Sequence, residues 1–197
     1  MKIYDISQEV YSCNIYPGDP KPEKFEISAI SRGDVCNLTF FRMCAHNGTH
    51  IDAPYHFIND GARVDELPLD KLIGYALVVK HNGCLYGGDA EEIIKKANNV
   101  YKEPIKKILI SGEATVTPEA AAVFAEAKLD LIGNESQTVG PMESPMQVHL
   151  ELLHAGVILL EGIKLEAVPE GVYFLNAAPL NLGGCDGSPC RAVLIEL

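Results

Sequence analysis

The chain has 197 residues, 47% hydrophobic and 22% charged, which is enough apolar material for one domain with a real core. A formal net charge of -11 argues against nucleic acid, whose phosphates call for clustered Lys and Arg, and against docking on an anionic membrane. No apolar run approaches the roughly 20 residues of a spanning helix, and Met1-Lys2-Ile3-Tyr4-Asp5-Ile6 reads as a strand rather than a secretory leader, so the expected compartment is the cytoplasm.

In chain order, Lys2–Ile6 and Phe25–Ile30 read as short strands, and Asn37–Cys44 has strand composition. Between the first two, Tyr16-Pro17-Gly18-Asp19-Pro20 predicts a rigid turn, since Pro fixes φ and Gly supplies positive φ. Tyr75–Lys80 reads as a buried strand. Asp89–Asn98 reads as a helix, with Asp89 as its N-cap. Lys107–Ile110 reads as a strand, and Thr117-Pro118-Glu119 opens an Ala-rich helix with Pro at its first position. Leu129–Ile132 is the next strand. Ser144-Pro145 opens a helix to about His154, with Gly156 just past its end. Val157–Leu160 is a strand ending in Glu161-Gly162, and the tail adds Val172–Leu175 and Ala192–Glu196. Strand and helix alternating in this way predict parallel pairing with right-handed crossovers, and strands apolar throughout predict a sheet covered on both faces. With no repeat or linker, residues 1–197 are expected to form a single α/β domain with a mixed, partly parallel sheet. The six Cys are scattered without a CxxC pair and read as free thiols; for Cys185 and Cys190, which flank a turn, a ligand role is the weaker alternative.

The chemistry concentrates in His46-Asn47-Gly48-Thr49-His50-Ile51-Asp52-Ala53-Pro54-Tyr55-His56, which holds three of the six His and an Asp. His and carboxylate are the ligands that zinc, manganese or iron prefer. A fully extended run would set His46 about 13 Å from His50, too far to share an ion. A bend at Gly48 closes that gap. His50 and Asp52, two apart, then share one face of an extended segment. His56 lies beyond Pro54 and need not reach the same ion. A surface turn with incidental polar residues is the bland alternative, and the density of His argues against it. The Glu that follows the first His of the zincin helix motif is missing, so the cluster suggests metal chemistry without naming a reaction.

The run His46 to Phe57 resembles the HxGTHxDxPxH signature of the putative cyclase family of metal-dependent hydrolases, which includes kynurenine formamidase (arylformamidase) and isatin hydrolase. The resemblance extends to the Tyr16–Pro20 turn, to Leu131-Ile132-Gly133, to Val157–Glu161 and to Asp186-Gly187-Ser188-Pro189-Cys190-Arg191-Ala192-Val193, and so to nearly the whole chain. It implies a swivelling β/β/α, cyclase-like fold. It also implies two ions: His46, His50 and Asp52 on the first, with Asp52 bridging to a second held by His149 and Glu161. His56 matches the catalytic acid/base, and Tyr16 stands where kynurenine formamidases carry a substrate-lining Trp.

Read without the family, Glu161 ends an apolar strand, at the carboxyl edge where open α/β sheets bind ligands. His149 on pattern alone would be a satisfied interfacial His. His81 and His154 match nothing. Three departures bear on the substrate rather than on the metal chemistry. Gly133-Asn134-Glu135-Ser136 replaces Gly-Ile-Asp-Thr, the loop after Ile110 is short, and the chain has no Trp.

The expected activity is hydrolysis of a carbon–nitrogen bond in a formamide, amide or cyclic amide, using metal-activated water with His56 moving the proton. One or two divalent ions are expected, zinc first and manganese second. The expected partners are a small-molecule substrate and further copies of the chain, as a homodimer or higher homo-oligomer. The alternatives are a metal-assisted dehydration or lactonisation, and a metal-stabilised binding module without catalysis.

Overall fold

The computed structural model describes residues 1–196. In chain order the strands and α-helices are β1 (Lys2–Asp5), β2 (Glu23–Ser28), β3 (Leu38–Arg42), β4 (His50–Asp52), β5 (Ile73–Lys80), β6 (Gly83–Leu85), α1 (Gly87–Asn99), β7 (Lys107–Ser111), β8 (Ala114–Val116), α2 (Pro118–Glu126), β9 (Leu131–Asn134), α3 (Met146–His154), β10 (Ile158–Glu161), β11 (Gly171–Asn176), β12 (Gly187–Pro189) and β13 (Val193–Glu196).

Nine strands form a mixed sheet in the order β1-β13-β11-β5-β7-β9-β10-β4-β12. Its centre, β5-β7-β9-β10, is parallel, and the strands outside it pair antiparallel. The apolar runs Ile108-Leu109-Ile110 and Ile158-Leu159-Leu160 are buried on both faces, as expected for strands covered on both sides. On one face Leu77, Ile108, Ile110, Ile132 and Leu159 pack against Ala90, Ala120, Phe124, Val148 and Leu152 of the three helices. On the other, Val78, Leu109, Leu131 and Leu160 pack against Ile51, Leu72, Ile163 and Leu194. Truncating a fully buried side chain such as Leu109 to Ala would cost about 2–5 kcal/mol.

Local signals explain two helix ends. Thr117 caps α2 by accepting the Ala120 N–H at 3.3 Å, with Pro118 in the first turn. Gly156, at φ +76°, stops the chain after α3. The expected N-cap at Asp89 is corrected: the N-cap is Tyr86, three residues earlier, and α1 starts at Gly87. Asp89 sits in its first turn and accepts the Tyr86 N–H at 2.9 Å, a back-bond that is equally favourable for an acid near the helix dipole's positive end. The strands β2 and β3 form a separate hairpin outside the large sheet, and β6 pairs with β8.

Candidate metal centre

The site is built where β4 docks between β10 and β12. The register sets His50 opposite Glu161 and Asp52 opposite Leu159 on one side, and Asp52 opposite Gly187 on the other. His50 and Asp52 therefore share a face, as their spacing of two predicts, and a residue more than a hundred positions away joins them through the sheet.

The expected bend is present. Gly48 has φ +66°, a conformation that L side chains rarely adopt, and an added Cβ would lie 3.0 Å from the Cys13 Cβ. The turn is anchored by the Gly48 carbonyl, which accepts from Gln137 Nε2 at 3.2 Å and from His50 Nδ1 at 2.9 Å. The Thr49 hydroxyl donates to the Gly162 carbonyl at 2.6 Å. The folded-back turn sets the His46 and His50 rings 5.1 Å apart.

Asp52 sits at the centre, 1% exposed. Its Oδ1 lies 2.8 Å from His46 Nδ1 and 3.4 Å from His50 Nε2, and its Oδ2 lies 3.5 Å from His149 Nε2. Glu161 completes the group, with Oε1 3.2 Å from His149 Nε2 and Oε2 3.5 Å from His50 Nε2. Backbone contacts aim the rings. His50 Nδ1 donates to the Gly48 carbonyl and His149 Nδ1 to the Pro145 carbonyl, both at 2.9 Å, which leaves each Nε2 facing the carboxylates. Glu161 Oε1 in turn accepts the Val139 N–H at 2.8 Å.

This set fits divalent metal. Four ligand atoms about 2.1 Å from zinc at tetrahedral angles stand roughly 3.4 Å apart, which is the spacing of these nitrogens and oxygens. Asp52 Oδ2 is buried without a hydrogen-bond partner, an arrangement that is costly unless a cation occupies the space beside it. Two three-residue groups share Asp52: His46, His50 and Asp52, and Asp52, His149 and Glu161. The five residues singled out in the sequence thus converge. None of the six free cysteines joins a metal-competent group among the described residues.

Electrostatics agree. Burial disfavours the charged forms of His46, His50 and His149, but Asp186 and Asp52 beside His46, and Asp52 and Glu161 beside the other two, outweigh it. The three rings are raised to about 9, 10 and 10 respectively. Burial likewise opposes ionisation of Asp52, and the His149, His46 and His50 contacts hold it well below the usual carboxylate range. In metal-free protein the raised imidazoles stabilise the fold fully below their ordinary pKa of 6.5 and lose that contribution as pH rises through about 9 to 10. Asp52 contributes above its ordinary 3.8 and loses it as pH falls through its depressed value. Metal-free protein is therefore expected to melt highest in weak acid and progressively lower toward pH 10. Zinc needs unprotonated imidazoles, so its binding at pH 7 should release protons and strengthen across the same alkaline interval. Calorimetric scans against pH, with and without zinc, test this; a metal-free melting temperature that climbs from pH 6.5 to 10 contradicts it.

A cavity of about 250 Å³ opens over the cluster, with Tyr16, His56, Phe57, Gln137 and Thr138 in its wall. Tyr16 is placed there by the predicted turn, closed by an Asp19 N–H to Tyr16 carbonyl bond of 3.1 Å; its hydroxyl donates to the Met142 carbonyl at 3.0 Å. His56 ends a 3-10 turn at Pro54–His56 and stacks on His46 with centroids 4.0 Å apart. Burial lowers its pKa, which favours the neutral ring. His81 and His154 lie outside the cavity lining. Sequence reading missed Asp186, which contacts both His46 and His56, and Thr138, whose buried hydroxyl has no partner. The polar run after β9, at the carboxyl edge of the parallel strands, was the available signal for Thr138. Asp186 had only the turn-rich Asp-Gly-Ser-Pro context.

A family model described as Putative cyclase matches residues 4–140. A kynurenine formamidase from Salinibacter ruber is 32% identical over 208 residues, covering 98% of this chain and 97% of that protein. Among solved structures, a potential metal-dependent hydrolase with cyclase activity superposes with a TM-score of 0.80 at 27% identity, covering 98% of this chain and 96% of the other. Isatin hydrolase A from Labrenzia aggregata, solved with benzyl benzoate, shares the fold, with a TM-score of 0.81 at 23% identity and coverage of 98% and 93%.

Proposed function

The chain belongs to the cyclase family of the matching model, and from that premise we propose that it is a metal-dependent hydrolase of carbon–nitrogen bonds in small formamides, amides or cyclic amides. One observation carries the reading: a buried, unpartnered Asp52 oxygen among imidazoles spaced for an ion, under a cavity that also holds His56.

His46, His50 and Asp52 would hold one ion, and Asp52, His149 and Glu161 a second, zinc or manganese by the nature of the donors. When bound, a divalent ion supplies Lewis acidity, polarising a carbonyl and making water ionisable near neutral pH. His56 serves as the acid/base. Its Nδ1 is engaged by Asp186 at 3.3 Å, which leaves Nε2 for the reaction. Nε2 takes a proton from the attacking water as the C–O bond forms and returns it to the leaving nitrogen as the C–N bond breaks. The products are a carboxylic acid and an amine, or one molecule carrying both groups when the substrate is cyclic.

Tyr16 and Phe57 give the cavity an aromatic wall suited to an aryl or other flat substrate. The Thr138 hydroxyl, buried and unpaired, is available to a substrate oxygen or nitrogen. The expected homo-oligomer has a suitable surface in the β2–β3 hairpin, where Phe25, Leu38 and Phe40 are exposed. No helix among the described residues is long and apolar enough to cross a membrane.

Formanilide, N-formylkynurenine and isatin, each offered with zinc and then manganese, form the discriminating panel. Metal-dependent release of amine or ring-opened acid from at least one is expected. A fully metallated protein inert toward all three contradicts the reading.

A further inference from the structure

We propose that Asp186 is a positioning residue that fixes the orientation and tautomer of two site histidines at once, the ligand His46 and the acid/base His56. For the role of His56 the inference rests on the hydrolase reading above. For His46 it rests on the geometry of the metal group alone.

A single oxygen, Asp186 Oδ2, lies 2.9 Å from His46 Nε2 and 3.3 Å from His56 Nδ1. An ionised carboxylate only accepts hydrogen bonds, and a neutral imidazole carries one N–H. With His46 Nδ1 given to an ion, the one proton left on that ring sits on Nε2, facing Asp186, and a neutral His56 carries its proton on Nδ1, facing the same oxygen. The consequence differs usefully between the two rings. In His46 the lone pair is left on Nδ1, which points at Asp52 Oδ1 at 2.8 Å and so into the metal group. In His56 the lone pair is left on Nε2, the nitrogen free to act as a base. The rings stack nearly parallel, 4.0 Å apart at 27°, so neither can turn without disturbing the other or breaking its bond to the shared carboxylate.

Asp186 is itself held by backbone rather than by side-chain packing. Its carbonyl accepts the Ala53 N–H at 2.9 Å, and the next residue, Gly187, pairs with Asp52 in the sheet. A side chain at 187 could not fit, because its Cβ would stand 2.6 Å from the His46 ring. The sheet edge thus brings a C-terminal residue over the His46–His56 segment. The Asp186 side chain is 43% exposed, so truncating it removes the contacts to the histidines without opening the core.

The test uses Asp186→Ala, His56→Asn and the double variant, all in full-length protein with melting temperature checked. Zinc affinity is measured by chelator competition, zinc content at saturation by elemental analysis, and turnover on formanilide at saturating zinc. Loss of a carboxylate behind a metal-bound His weakens affinity or activity by about 10–100-fold. For Asp186→Ala we expect a zinc Kd raised by that factor, unchanged zinc content at saturation, and a kcat lowered by a similar factor. The double variant should be no slower than His56→Asn alone, since Asp186 acts on the reaction through His56. An unchanged zinc Kd overturns the proposal for His46, and losses that multiply in the double variant overturn it for His56. Loss of one zinc equivalent in Asp186→Ala overturns it altogether, making Asp186 a ligand in the group His46, His56 and Asp186, which is also metal-competent. If the unsubstituted protein hydrolyses no amide, the hydrolase reading fails by itself, and the zinc Kd still decides the role of Asp186 at His46.

Discussion

Asp52→Ala is expected to strip the protein of tightly bound metal and to abolish hydrolysis with it. Asp52 belongs to two of the three metal-competent groups, the two buried ones, so its removal disables both of these, whereas loss of His149 or Glu161 would leave His46, His50 and Asp52 intact. Its two oxygens face three imidazole nitrogens at 2.8–3.5 Å, and no other carboxylate reaches all three rings. Losing the metal's Lewis acidity removes several kcal/mol of transition-state stabilisation, about 10³-fold or more in rate. The fold should survive, because the imidazoles can shed the protons that Asp52 held on them. Elemental analysis of folded Asp52→Ala protein checks this, and metal content equal to the unsubstituted protein would remove Asp52 from the centre. Asp52→Asn, which preserves shape, should lose metal nearly as completely because the amide carries no charge.

His56→Asn should separate chemistry from metal binding. Asn keeps a polar side chain but cannot exchange a proton near neutral pH. Turnover is expected to fall by about 10²–10⁴-fold, the usual contribution of a positioned acid/base, with metal content unchanged. The pH–rate profile should lose the limb that reports the imidazole. Near-normal turnover at full metal loading would show that another group moves the proton. Glu135 is a poor substitute, since its two oxygens accept the Gly112 and Leu165 N–H groups, and Glu113 is exposed outside the cavity lining. Loss of metal in His56→Asn would instead make His56 a ligand.

How far the sequence reached can be read from individual residues. His46, His50 and Asp52 announced themselves because the bend at Gly48 and the extended pair after it are local, and local geometry follows from residue type and spacing. The parallel centre of the sheet was equally accessible from its unbroken apolar strands. His149 and Glu161 were reached only through the family signature. Their position depends on β4 pairing antiparallel with β10 in the register that faces His50 to Glu161, and no property of either segment alone specifies that register. Asp186 was missed for the same reason on the other side of β4. Its role exists only once β12 pairs with β4, and a short Asp-Gly turn looks the same with or without two histidines above it. Asp89 was read as the N-cap although it is the third helical residue, because Asp suits both positions and only the backbone shows which.

Reconstitution is the decisive measurement: metal-depleted protein titrated with zinc, or with manganese, while hydrolysis of the best substrate from the panel is followed. Turnover should be absent without metal, rise in proportion to bound ion, and level off when the Asp52 groups are filled. Full-rate hydrolysis by metal-depleted protein, or none at complete metal occupancy, would contradict a metal-dependent hydrolase built on Asp52.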